Sequence, residues 1–127
     1  HSADEILGWF AIDAADAGGL IDWDGLVAQA FRTTANQLPG TQTFDAALGL
    51  DPLISAAMNT TNGLEPAVLR LTSLVDDGTA ATASFIVQEE KSFDTEVRHS
   101  LETIGGIAFD QAGLLTGFGA VDSFIFT

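Results

Sequence analysis

A chain of 127 residues with 18 Asp and Glu against 4 Lys and Arg carries a net charge of −14, which repels nucleic acid and anionic membranes and excludes both as partners. There is no Cys, so disulfides, thiolate chemistry and Cys-based metal centres are excluded, and no apolar run approaches the ~20 residues of a membrane span. The length suits one domain, 1–127, and its 46% apolar content with nine Phe and no Tyr exceeds what a small monomer buries, pointing to a homodimer interface or a greasy pocket.

The chain begins at His1 without Met, as expected of a processed or trimmed chain. Together with the sequon Asn59–Thr60–Thr61 this points to secretion. Ser2 and Glu5 form a capping box, predicting a first helix from Ala3 with Ile6, Phe10, Asp13 and Ala17 along one side and Trp9 close by. Gly18–Gly19 ends it. Asp22 reads as a second N-cap, followed by Trp23, Leu26, Val27, Ala30 and Phe31 at the spacing of an amphipathic helix.

After the turn at Leu38–Pro39–Gly40, residues 41–44 suit a short strand. Asp51–Pro52 predicts a short helix over 53–58, and 59–63 reads as loop. From there the period is two. A strand over 66–75, the turn Asp76–Asp77–Gly78 and a partner strand over 79–89 make a hairpin. Residues 95–104 alternate, with Val97, His99, Leu101 and Thr103 on one face and Glu96, Arg98, Ser100 and Glu102 on the other. A last hairpin runs from Ile107–Ala108–Phe109 through a turn at 110–113 into a long arm from Leu114. That arm places Phe118, Ala120, Asp122, Phe124 and Phe126 on one face. The fold class expected is α+β: N-terminal helices packed on a curved antiparallel sheet, a cone with an apolar pocket.

Three segments carry a resemblance. IDWDGLVAQAF (21–31), the hairpin LTSLVDDGTAATASF (71–85) and the ending FDQAGLLTGF (109–118) resemble segments of the nuclear-transport-factor-2-like, or SnoaL-like, superfamily of cystatin-like α+β cones. The resemblance implies a cone fold and either a binding or dimerising domain or a cofactor-free isomerase, cyclase, dehydratase or epoxide hydrolase. The chain departs from those enzymes where their chemistry sits. It has no Tyr for an oxyanion hole, and Thr72 and Ser100 stand where an Asp two residues after Arg70 or Arg98 is needed.

Candidate site residues follow from the expected faces. Asp122 is a carboxylate among apolar neighbours, and His99 lies between Val97 and Leu101. Facing each other across the pocket, the pair is the candidate acid–base couple. Trp9, Asp13, Phe118 and Phe124 are the expected ligand-lining residues. The function expected first is binding of a hydrophobic small molecule without catalysis or cofactor. Proton transfer by His99 and Asp122 on a polyketide- or terpenoid-type substrate is the alternative. A third reading gives His1 a copper ion through its amine and imidazole, with His99 as a further nitrogen. No other metal site is expected, since neither Asp22–Trp23–Asp24–Gly25 nor the turn at 76–78 supplies a calcium-loop ligand ladder.

Overall fold

The computed structural model describes residues 19–23, 25–63, 65–89, 98–116 and 123–126. Nine strands cover most of them: β1 (Leu20–Trp23), β2 (Leu26–Ala35), β3 (Gly40–Thr43), β4 (Leu53–Met58), β5 (Ala67–Asp76), β6 (Ala81–Glu89), β7 (Glu102–Phe109), β8 (Gly113–Thr116) and β9 (Ser123–Phe126). The only helical turn among the described residues is a 3-10 turn at Ala46–Leu48. All pairings are antiparallel. One sheet has the order β1-β2-β7-β4, a second β3-β6-β5, and β8 pairs with β9 apart from both.

The expected α+β cone is therefore corrected: the described residues form antiparallel sheets with no α-helix packed on them. The second helix is replaced by the β1–β2 hairpin, in which Trp23 pairs with Leu26 across Asp24–Gly25. Gly25 holds φ +83, the left-handed value that such a two-residue connection requires. The helical spacing was produced by burial on both faces of β2. Leu26 and Ala28 face one side of the sheet while Phe31 and Ala35 face the other, so the period of two is lost and the pattern imitates a helix. The short helix over 53–58 is strand β4, because its backbone completes the ladder to β7 from Leu53–Phe109 to Met58–Ile104. The first expected helix lies outside the described residues.

The strand at 41–44 and the 66–89 hairpin are present as β3 and β5–β6. The β5–β6 turn is closed by Asp77, whose carboxylate accepts from the amides of Thr79 and Ala80 at 2.8 and 2.9 Å. The ending differs. β7 pairs with β2 and β4 rather than with the arm that follows it. The long arm doubles back, Leu115 pairing with Phe124 and Thr116 with Ser123, so the chain reverses within the segment expected to be one extended strand.

The two larger sheets face each other over one core. Phe31, Ala35, Ile104 and Ala108 come from the first, and Ala81, Ala83, Phe85 and Val87 from the second. Phe44 and Leu48 close one side. Phe31 sits edge-on to Phe44 with ring centroids 5.3 Å apart and stacks on Phe85 at 5.9 Å. Packed rings occupy the space where a hollow was expected. The other face of the first sheet buries Leu26, Ala28, Ile107 and Phe109.

Candidate functional site

The pleat that buries Ala81, Ala83, Phe85 and Val87 puts the next inward position of β6 at Glu89. On the facing sheet, the alternation that buries Ile104 puts Glu102, the first residue of β7, on the same inner side. Two carboxylates thus converge at one end of the core, and the imidazole of His99 lies between them. Its Nδ1 is 2.8 Å from Glu89 Oε1 and its Nε2 is 3.0 Å from Glu102 Oε1. The side chains of His99 and Glu102 are sealed from solvent, and that of Glu89 nearly so.

Ionised carboxylates only accept hydrogen bonds. Each ring nitrogen faces a carboxylate oxygen, so a proton on either nitrogen is donated to a glutamate. Glu102 is held by the backbone around it as well. Its Oε1 accepts from the amides of Asn62 and Gly63 at 2.7 and 2.9 Å, and its Oε2 accepts from the Thr60 hydroxyl. Burial pushes the Glu102 carboxyl up, but the Thr60 hydroxyl, the Gly63 amide, His99 and the Asn62 amide together outweigh it and hold the group below the ordinary glutamate range.

The surrounding chain is tied to the same cluster. The Thr103 amide donates to Thr60 Oγ1, the Asn62 side-chain amide donates to Leu101 O at 2.8 Å, and the His99 amide donates to Gln37 Oε1. Gly63 lies close against the imidazole, where an added Cβ would stand 2.2 Å from His99 Cε1. The cluster is a latch joining both sheets to the 59–63 and 98–101 segments.

His99 is buried and hydrogen-bonded, but not by the alternation expected. Residues 98–101 form no strand, and Leu101, expected beside His99, is 55% exposed. Glu102, assigned to the opposite face, is a partner of the ring. Asp122, Trp9, Asp13, Phe118 and His1 lie outside the described residues; Phe124 falls on β9, opposite Leu115. The described residues therefore bring His99 to Glu89 and Glu102, neither of which was singled out. A signal for Glu89 was present: it ends the alternating run of β6 on the buried side, the same argument that drew attention to Asp122. Among the described residues no group of three or more His, Asp or Glu could hold a metal ion.

An open depression of about 270 Å3 lies at the same end of β5 and β6, lined by Pro66, Ala67, Val68, Arg70, Gln88 and Glu89. Val68 pairs with Gln88 and Arg70 with Ile86 across the two strands. No carboxylate among the described residues pairs with Arg70.

Among the described residues, fold and site together define two packed antiparallel sheets, latched at one end by a buried Glu–His–Glu cluster. No known protein family matches the chain, and no characterised protein or solved structure shows significant similarity to it.

Proposed function

We propose that this chain is a binding module without catalysis, and that its ligand is a small molecule with an apolar body and one carboxylate, seated in the depression beside Arg70. The observation that carries the reading is Arg70 itself. In a chain of net charge −14, this guanidinium has no carboxylate partner among the described residues and shares a concave site with Pro66, Ala67 and Val68. Beside these apolar walls and Arg70 stand Gln88 and Glu89, the latter's carboxylate engaged by His99 at 2.8 Å, and a guanidinium matches a carboxylate in bidentate geometry. The overall negative charge opposes an anion only weakly at contact. Charges farther than about 8–10 Å are screened at physiological salt, whereas a guanidinium touching the ligand is not.

The latch supports binding over catalysis. Both nitrogens of His99 are taken up by carboxylates and its ring is buried, leaving no ring atom for a substrate. Titration calorimetry with octanoate and phenylpropanoate, each beside its neutral amide, tests the proposal. The acids bind and the amides do not, and Arg70→Ala abolishes binding while the fold is retained. Equal binding of acid and amide, no binding of either acid, or unchanged affinity in Arg70→Ala overturns it.

A further inference from the structure

We propose that Asn62 is a latent self-modification site: the Asn62–Gly63 bond is poised for succinimide formation, and the Glu102 latch suppresses that reaction while it is closed.

The sequence pair carries the reactivity. When glycine follows asparagine, no Cβ shields the backbone nitrogen, and that nitrogen can attack the asparagine side-chain carbonyl. Gly63 cannot be exchanged for a protecting residue, because any Cβ there meets the His99 ring. The latch therefore imposes the reactive pair on its own loop.

The reaction needs two freedoms, and the structure removes both. The Gly63 nitrogen must give up its proton as it attacks, but that N–H donates to Glu102 Oε1 at 2.9 Å. Negative charge developing on the nitrogen then grows beside a buried carboxylate, and like charges at this range repel strongly. The Asn62 side chain must also rotate so that Cγ meets the nitrogen. Its Nδ2 instead donates to Leu101 O at 2.8 Å, and the Asn62 amide is held by the same Glu102 oxygen at 2.7 Å.

Opening the latch releases both restraints. The Gly63 nitrogen then bonds to Asn62 Cγ, the Cγ–Nδ2 bond breaks, and ammonia leaves with the proton lost from the amide. Water opens the succinimide at either carbonyl to give aspartate or isoaspartate at position 62. Either product loses the donor to Leu101 O and adds a carboxylate close to Glu102. Isoaspartate also lengthens the main chain between residues 62 and 63, carrying the Gly63 N–H away from Glu102. Conversion therefore keeps the latch open, so one opening event becomes a permanent change in this end of the domain.

The test is peptide mapping by mass spectrometry of the full chain in mildly alkaline buffer, scoring aspartate and isoaspartate at position 62. Asn36 and Asn59, followed by Gln and Thr, serve as internal references. The folded chain is expected to convert at least ~10-fold more slowly than the same chain unfolded in urea, since reaction requires local opening. Glu102→Ala, or Glu102→Gln if that variant does not fold, removes or weakens the acceptor of the Asn62 and Gly63 amides and is expected to raise the folded rate at Asn62 toward the unfolded one without raising it at Asn36 or Asn59. Equal rates in the folded and unfolded wild type overturn the proposal. So does a folded latch variant that converts no faster than wild type.

Discussion

Glu102 is the residue on which most of this end of the molecule depends. It is 1% exposed and accepts from Thr60, Asn62, Gly63 and His99. Its carboxyl is held below the ordinary glutamate value, so the unfolded chain takes up this proton before the folded one does. The stability it contributes is fully present above the unfolded pKa and is lost as pH falls through the folded pKa. Urea midpoints measured down the acid range should fall for wild type and fall less steeply for Glu102→Gln, which has no carboxyl to protonate. Glu102→Ala leaves several buried donors unpaired and is expected to cost about 3–5 kcal/mol at neutral pH, read as a shift in the same midpoint. Little of this was legible beforehand. His99 drew notice as a lone imidazole on an apolar face, but its partners lie 10 positions before it and 3 after it, and only the packing of two sheets brings them together.

At the scale of elements, the β1–β2 hairpin shows how burial can disguise a strand. Positions 23, 26, 27, 30 and 31 fit a helix because β2 packs on both sides, and the decisive local signal was the short connection ending in Gly25. Gly25→Ala separates the two possibilities cleanly. In a helix interior the change would stabilise by about 1 kcal/mol. At φ +83, with nothing within 4 Å of an added Cβ, it should destabilise by about 1–2 kcal/mol through backbone strain alone. Thermal denaturation of the purified variant gives the sign. β5–β6 was legible for the opposite reason: its turn side chains bond their own neighbours, so the hairpin is specified locally. β4 was misread because Asp51–Pro52 favours a helix start, yet pairing with β7 satisfies six successive positions and overrides that preference.

For the molecule as a whole, the aromatic core between the sheets sets stability. Phe85 is 1% exposed, stacks on Phe31 and pairs with both Gly40 and Leu71 in the neighbouring strands. Phe85→Ala is expected to cost about 3–5 kcal/mol, as burial is lost and a cavity remains. Chemical denaturation measures it, and a loss under 1 kcal/mol would mean that the sheets do not share this core. The same packing explains why ligand binding is proposed at the outer end of β5 and β6 rather than inside: the interior is occupied by side chains, while Arg70 and Val68 face outward around an open site.

Composition alone decided that this chain is acidic, cysteine-free and rich enough in apolar residues to build a core, because charge balance and apolar content do not depend on how the chain folds. Local turn chemistry likewise decided the 76–78 hairpin. Which strands lie side by side, and which acids meet His99, depended on contacts between residues far apart in the chain. β2 joins β7 across some 70 positions, and a one-residue change of register moves every side chain to the other face. The latch exists because two sheets meet with Glu89 and Glu102 both on their inner sides, a condition that no single stretch of sequence contains.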